Sequence, residues 1–122
     1  MRSLDIYIGY DCNEIVAYHV LCQSIIEHST VPVRITPLNL LNLKNIFKRE
    51  RNQLQSTEFS FSRFLVPYLS NYEGWSLFMD CDMLMLSDIA ELFSLKDESK
   101  AVLVCKHDYQ PKEDVKFLNQ IQ

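Results

Sequence analysis

Short apolar segments alternate with longer amphipathic segments along the 122-residue chain, and this alternation is what most limits the folds open to it. The apolar segments are residues 4–10, 33–40, 75–79 and 101–105. A strand that is followed by a helix and then by another strand builds a parallel sheet, because the helix crosses one face of the sheet. The sequence therefore predicts an α/β fold of three layers, α/β/α, with a mostly parallel sheet, in a single domain spanning residues 1–122.

Two amphipathic segments are predicted to form the longer helices. The first follows Asn13 as its N-cap and ends at residues 28–30. Its apolar face consists of Ile15, Tyr18, Cys22, Ile25 and Ile26. The second runs from a cap at residue 56 or 57 to Gly74, and Pro67 either bends it or divides it into two. Its core-facing stripe consists of Phe61, Phe64, Leu65, Tyr68, Leu69 and Tyr72.

Shorter elements are predicted in the rest of the chain. Residues 41–55 are polar and basic, which favours a loop with at most one helical turn. Pro37 lacks a backbone donor, so the second strand suits an edge of the sheet. Ser87 and Asp88 can cap a short helix, and residues 97–100 are predicted to form a charged turn.

Composition excludes several classes of partner. The net charge is −4 and the twelve Lys and Arg residues are scattered, so the chain is not predicted to bind nucleic acid. Every apolar run is far shorter than the roughly twenty residues that cross a bilayer, so no membrane span is predicted. The four cysteines lack zinc-ligand spacing and no signal peptide is evident, which favours reduced thiols and a cytoplasmic location.

Polar residues follow three of the predicted strands, namely residues 10–11, 80–82 and 106–108. Ligands of open parallel sheets bind outside the carboxyl ends of the strands. We therefore expect these residues to share one binding site. Within it, His107 has no partner at metal-ligand spacing and is expected to be an ordinary loop histidine.

The acidic pair Asp80 and Asp82 is the candidate metal site. A bare D-x-D tripeptide is more often a solvated acidic turn than a ligand set. Here the pair lies between two apolar runs, residues 77–79 and 83–86, where uncompensated charges would be costly to bury. A divalent cation would supply the compensation, and manganese or magnesium favours carboxylate oxygens completed by water and phosphate.

Three segments together resemble bacterial glycosyltransferases related to family 8. These are IYIGYD followed by a helix, FSFSRFLVPYL, and LFMDCDMLMLSDIAELF. The resemblance spans nearly the whole chain and keeps the order of strand, helix, arginine-bearing helix, D-x-D and short helix. It implies a GT-A fold and the donor-binding half of a hexosyltransferase-type enzyme.

The resemblance also implies a ligand and roles for individual residues. The ligand is a nucleoside diphosphate sugar, most often a uridine one, whose diphosphate is bridged to the protein by manganese or magnesium. Asp82 would coordinate the metal directly, Asp80 would contact the metal shell and the ribose, and Cys81 lies between them in the donor site. Arg63 matches an arginine that faces the donor, although taken alone it would be a solvated helix arginine.

Tyr10 and Asp11 are expected to contact the base by stacking and hydrogen bonding. The sequence is explained equally well if Tyr10 is simply an aromatic residue at the end of a strand and Asp11 is a helix N-cap. No catalytic nucleophile can be named from these residues. Family analogy suggests transfer with retention at the anomeric carbon.

Relatives in this family continue into a second half that holds the sugar or glycan acceptor. The chain is therefore expected to be a truncated donor-binding portion, with weak or absent turnover alone, because transfer needs the acceptor held beside the anomeric carbon. Two other classes stay open. One is a receiver-like phosphoacceptor domain, which Asp11 and Lys106 would suit. The other is a non-catalytic scaffold remnant that forms a homo-oligomer through an exposed apolar surface.

Overall fold

A computed structural model describes residues 3–50, 53–106 and 108 of the chain. It contains three strands, β1 (Leu4–Gly9), β2 (Val33–Leu38) and β3 (Ser76–Met79). It also contains three α-helices, α1 (Ile15–His28), α2 (Val66–Leu69) and α3 (Ile89–Phe93), and two 3-10 turns, Leu40–Asn42 and Ser62–Leu65. Within the described ranges no helix is long and apolar enough to cross a membrane.

The strands form a parallel sheet in the order β2-β1-β3, as the α/β pattern predicts. On one side β1 is in register with β2, from Leu4 opposite Val33 onward, and its other side pairs with β3. Arg34 forms an ion pair with its cross-strand partner Asp5 at 2.7 Å. Because β2 is an edge strand of the described sheet, Pro37 occupies the kind of position that the sequence predicts for it.

Helix α1 covers one face of the sheet. Its buried residues are Tyr18, Leu21, Ser24 and Ile25. They pack with Ile6 and Ile8, which lie on the same face of β1 because side chains alternate along a strand. The predicted apolar face is therefore partly wrong, since Ile15 and Ile26 are exposed and Leu21 takes the central position.

Phe59 covers the opposite face. Its ring lies 6.1 Å from the ring of Phe78, which pairs with Tyr7 across the sheet. A Cβ added to Gly9 would lie 2.4 Å from this ring, so the absence of a side chain at Gly9 is what admits it. The two faces are thus held by different segments, α1 on one and the residues around Phe59 on the other.

The predicted second long helix is wrong in extent and orientation. Phe59 is buried in a non-helical turn, and the chain then forms a 3-10 turn that ends before α2 begins at Val66. Pro67 lies in the first turn of α2, where its missing N–H costs least, so it divides the segment as one of the two alternatives predicts. Phe64 and Tyr72 are 73% and 75% exposed, because Phe59 already occupies the core position assigned to the stripe.

The predicted strand at residues 101–105 is also wrong. In the part of the chain that the structure describes, these residues pair with no strand, and Val102, Leu103 and Val104 are exposed. An apolar composition favours a strand only where a neighbouring strand accepts its main-chain hydrogen bonds. The turn at residues 97–100 is confirmed by the bond from the N–H of Lys100 to the carbonyl of Asp97 at 2.9 Å.

Gly9 gives a direct test of how the second face packs. Replacing Gly9 with Ala forces a methyl group against the Phe59 ring, and we expect a loss of about 1–3 kcal/mol in the free energy of unfolding, measured in urea. The double variant Gly9→Ala with Phe59→Leu should be less destabilised than the two single changes summed. Simple additivity would show that the ring and Gly9 do not pack as described.

Asp88 gives a test of pH dependence. Its carboxylate caps α3 through the N–H of Ala90 at 3.0 Å and also accepts from the hydroxyl and N–H of Thr30, which follows α1. The Thr30 hydroxyl bond and the Ala90 bond hold the pKa of Asp88 below its usual range. Its stabilising contribution is therefore complete above the unfolded pKa of about 3.9 and is lost as the pH falls through the lower folded pKa.

We expect Asp88→Ala to lower the melting temperature at pH 7, and the gap from the wild-type protein to narrow as the pH falls from 5 towards 2. Thermal unfolding followed by circular dichroism at each pH measures this gap. Glu73→Ala, a carboxylate removed from an exposed turn, serves as the control. A gap for Asp88→Ala that stays constant over this range would contradict the assignment.

Candidate functional site

The carboxyl ends of β1 and β3 lie side by side at one edge of the sheet. From β1 the chain crosses to β2 on one side, and from β2 it returns past β1 to β3 on the other. This reversal of direction is a topological switch point, where ligands of open α/β sheets bind. As predicted, residues 10–11 and 80–82 follow these two adjacent strands directly. Lys106 and Asp108 are exposed and lie outside the cavity described below, and His107 lies outside the described residues.

Asp11 is buried, with 3% of its surface exposed, and both of its carboxylate oxygens accept main-chain hydrogen bonds. One accepts from the N–H of Asn13 at 2.9 Å and the other from the N–H of Glu58 at 3.0 Å. The prediction that Asn13 is the N-cap of α1 is wrong, since the N-cap is Glu14, which makes no side-chain cap bond. The side chain of Asp11 instead binds the turn before the helix through the N–H of Asn13. Contact between Asp11 and a nucleotide base stays a prediction.

The side chains of Cys12 and Glu58 lie close to the carboxylate of Asp11. The ligand atoms of Asp11, Cys12 and Glu58 all lie within 4.8 Å of one another. The Cys12 thiol donates to Glu58 Oε1 at 2.6 Å, and this bond is the main cause that raises the pKa of the exposed thiol. Because a hydrogen-bonded, protonated thiol and an already satisfied Asp11 carboxylate are poor metal ligands, internal hydrogen bonding explains the proximity of these groups.

Asp80 and Arg63 form the charged centre of the switch point. The Arg63 guanidinium lies 3.6 Å from Asp80 Oδ1 and stacks over the Phe78 ring at 5.0 Å. Its Nε also donates to the carbonyl of Phe59 at 3.4 Å. Arg63 thus points toward Asp80 from the inner side of its segment, while Phe64 faces solvent. That Arg63 faces a donor stays a prediction.

The environment of Asp82 differs from the one that the sequence predicts. The pair was predicted to lie in a strongly apolar setting, but Asp82 is exposed, as are Met83, Leu84 and Leu86 that follow it. Among the described residues, Asp82 accepts no hydrogen bond and joins no ion pair. Burial of an uncompensated charge is therefore not an argument for a cation here, whereas a solvent-facing carboxylate without a protein partner is available to bind one.

A cavity of about 100 Å³ connects these groups. Its lining consists of Glu14, Ser56, Thr57, Phe59, Arg63, Asp80 and Asp82. Glu14, Ser56, Thr57 and Phe59 were not predicted as site residues. For Glu14 the available signal was an acid only three residues beyond a strand-end aspartate. Ser56 and Thr57 were the alternative caps of the predicted second helix, and Phe59 was predicted to lie in its first turn.

Cys81 is fully buried between the two acids. Its thiol donates to Glu14 Oε2 at 3.2 Å, across 67 positions of sequence. Burial, with a further contribution from the Glu14 bond, raises the pKa of this thiol to about 12. Cys81 is therefore a protonated core residue that ties the start of α1 to the acidic turn, while its predicted contact with a donor stays a prediction.

Tyr10 follows β1 directly but does not line the cavity. It is half-buried, and its ring meets the ring of Tyr18 edge to face, with the ring centroids 5.4 Å apart. This contact anchors Tyr10 on α1, and stacking against a base stays a prediction. A larger hollow of about 380 Å³ lies near Leu4, Trp75 and Phe93, at the amino-terminal edge of the sheet. Parallel sheets bind ligands at the other edge, so the smaller cavity is the candidate site.

Thiol reactivity tests this geometry. We expect Cys105, which is exposed, to react with a maleimide or disulfide reagent at pH 8 before Cys12, since the thiolate is the reacting form. Cys81 should resist until the protein unfolds, because it is buried and its pKa is raised to about 12. Glu58→Gln should accelerate labelling at Cys12 only. Peptide mass spectrometry identifies which cysteine has reacted. Rapid labelling of Cys81 in the folded protein would contradict the described packing.

Comparisons with known proteins give one curated match. A protein of Arabidopsis thaliana, named Protein CDI, is 50% identical over 123 aligned residues, which cover 99% of this chain and 48% of that protein. The chain thus spans about half the length of this curated relative. No family profile matches the chain. No solved structure matches it either.

Proposed function

We propose that the chain is the donor-binding portion of a glycosyltransferase of GT-A type, and that it binds a nucleoside diphosphate sugar through a divalent cation at Asp80 and Asp82. One observation carries the proposal. An acidic pair and an arginine meet in a cavity at the switch point of a parallel sheet, beside the strand end that bears Asp11. The order of the motifs that resemble family 8 glycosyltransferases supports it.

The donor set suits manganese or magnesium. Both ions prefer oxygen ligands and bind through one or two carboxylates, with water and substrate phosphates filling the rest of the shell. Asp82 offers a carboxylate free of protein partners among the described residues, and Asp80 offers a second from the same turn. When bound, such an ion would neutralise the diphosphate of the donor.

Arg63 can supply a further positive charge to the diphosphate. A guanidinium pairs well with phosphate oxygens, and this one is held in place by Phe78 and by the carbonyl of Phe59. Its distance of 3.6 Å from Asp80 leaves donors free to face an anion. Asp80 in turn keeps Arg63 pointed at the cavity. Tyr10, Asp11 and Cys81 do not line the cavity, and their contact with the nucleoside is a part of the proposal that rests on the resemblance alone.

The size of the cavity limits what this chain can hold alone. Pockets that enclose a drug-sized ligand have volumes of about 300–1,000 Å³, so a cavity of about 100 Å³ is too small to enclose a whole sugar nucleotide. The nucleoside and sugar would extend over the exposed surface beside Asp82. We therefore propose that this chain binds the donor. We assign the acceptor site, and efficient transfer with retention at the anomeric carbon, to a longer cytoplasmic protein.

The receiver-like alternative shares the parallel order β2-β1-β3, so the topology alone does not decide between the two classes. The geometry of Asp11 favours the glycosyltransferase. A receiver needs an acid at the end of its first strand to bind magnesium, and Asp11 already spends both oxygens on the N–H groups of Asn13 and Glu58. A scaffold remnant would keep the fold without binding a nucleotide.

A thermal shift experiment tests the proposal. We expect UDP with manganese to raise the melting temperature, because a ligand at one hundred times its dissociation constant stabilises the folded state by about 2.7 kcal/mol. Asp82→Asn should abolish the shift. Glu73→Gln, which removes the same charge from an exposed turn, should preserve it.

These measurements distinguish the glycosyltransferase, the receiver and the scaffold. The glycosyltransferase proposal would be overturned if UDP with manganese did not stabilise the wild-type protein, or if it raised the melting temperature of Asp82→Asn equally. Incubation with acetyl phosphate separates the receiver class, which would show stable incorporation at Asp80 or Asp82 by mass spectrometry. A scaffold would show neither stabilisation by UDP with manganese nor incorporation of phosphate.

A further inference from the structure

The hollow of about 380 Å³ at the amino-terminal edge of the sheet has no part in the proposed function. Leu4 and Asp5, which begin β1, line it together with Trp75, which directly precedes β3. It therefore lies at the opposite end of these strands from Asp80 and Asp82. Its volume falls within the range of about 300–1,000 Å³ that is typical of ligand pockets, so it can hold a small organic molecule.

Trp75, the single tryptophan of the chain, lines the hollow without joining the hydrophobic core of the described residues. It is half-buried, and in the part of the chain that the structure describes its ring meets no other aromatic ring and its indole N–H donates no hydrogen bond. Phe93, the last residue of α3, adds a second ring to the lining and packs against the core. A tryptophan with a free polar edge is typical of binding surfaces, so these rings offer an apolar wall to a ligand.

The other walls of the hollow are held in place by contacts within the protein. Both carboxylate oxygens of Asp5 bind the guanidinium of Arg34, at 2.7 and 2.9 Å, so the charge of Asp5 is already neutralised. After α3, the N–H of Lys96 donates to the carbonyl of Phe93 at 3.2 Å, and the turn at residues 97–100 holds Glu98 next to it. The hollow is therefore formed before a ligand arrives, as ligand pockets usually are.

The charged groups that remain in the hollow balance each other. Lys96 Nζ lies 4.0 Å from Glu98 Oε1, and the two side chains are 54% and 79% exposed. An ion pair this long and this exposed is weak, which leaves the ammonium group and the carboxylate available to a ligand. Since one cation faces one anion, the lining favours neither a phosphate nor a metal ion. It favours a neutral molecule that both donates and accepts hydrogen bonds.

We propose that this hollow is a second binding site and that its ligand is a neutral sugar. A sugar ring has an apolar C–H face and a rim of hydroxyl groups, and the hollow offers an aromatic wall beside a hydrogen-bond donor and an acceptor. The ring stacks on Trp75, and its hydroxyl groups bond to Lys96 and Glu98. The inference goes beyond the proposed function and does not depend on it, because the two places lie at opposite ends of the sheet.

Trp75 reports directly on this site, because the chain has no other tryptophan. We titrate the wild-type protein with D-glucose, D-galactose and D-mannose, and follow the fluorescence of Trp75 and its indole N–H signal in NMR spectra. At least one sugar should shift both signals and reach saturation. Glycerol, which has hydroxyl groups but no ring face, should give no saturable shift. The inference would be overturned if no sugar gave one, or if glycerol gave an equal one.

A matched pair of variants tests the polar side of the site. Lys96→Met removes one hydrogen-bonding group from the hollow, so we expect it to weaken binding of the responding sugar about fivefold. Lys44→Met makes the same change at an exposed position outside the hollow and should bind the sugar like the wild-type protein. Equal affinities for the two variants would contradict the assignment.

The two proposed sites can be tested separately. Asp82→Asn should bind the sugar like the wild-type protein, and Lys96→Met should keep the rise in melting temperature that UDP with manganese produces. Loss of sugar binding in Asp82→Asn would overturn the second site, because the sugar would then lie in the cavity at the carboxyl ends of β1 and β3. Failure of UDP with manganese to stabilise the protein would overturn only the proposed function.

Discussion

The buried carboxylate of Asp11 is the interaction on which the rest of the site depends. A carboxylate with so little exposure is tolerable only when its oxygens are satisfied, and here two main-chain N–H groups satisfy them. One belongs to the turn that starts α1, and the other belongs to the segment that places Phe59 on the second face of the sheet. A single side chain at the end of β1 therefore joins both layers to the central strand.

This junction determines where the charged groups lie. Because Phe59 is fixed against Gly9, the 3-10 turn that follows it brings Arg63 over Phe78 and toward Asp80. Because α1 starts directly after Asp11, Glu14 reaches the buried thiol of Cys81. The cavity is thus assembled from three segments that are far apart in sequence, and each is oriented by contacts with the core. Such support keeps a binding geometry fixed before a ligand arrives.

The sequence predicts those parts of the structure that depend on local pattern. The three paired strands, the end of α1, the cap of α3 and the convergence of residues 10–11 with 80–82 all follow from periodicity and strand order. Two results that the sequence does not predict come from contacts between distant segments. Phe59 occupies the core in place of the stripe from Phe61 to Tyr72, and Glu14 enters the cavity through a bond to Cys81 that no sequence spacing reveals.

Anomalous diffraction from crystals soaked in manganese and UDP tests whether a divalent cation binds at Asp80 and Asp82 together with a nucleoside diphosphate. We expect one manganese peak at coordination distance from Asp82, bridged to the diphosphate and facing Arg63. A peak held by Asp11, Cys12 and Glu58, or nucleotide bound away from the carboxyl ends of β1 and β3, would contradict it.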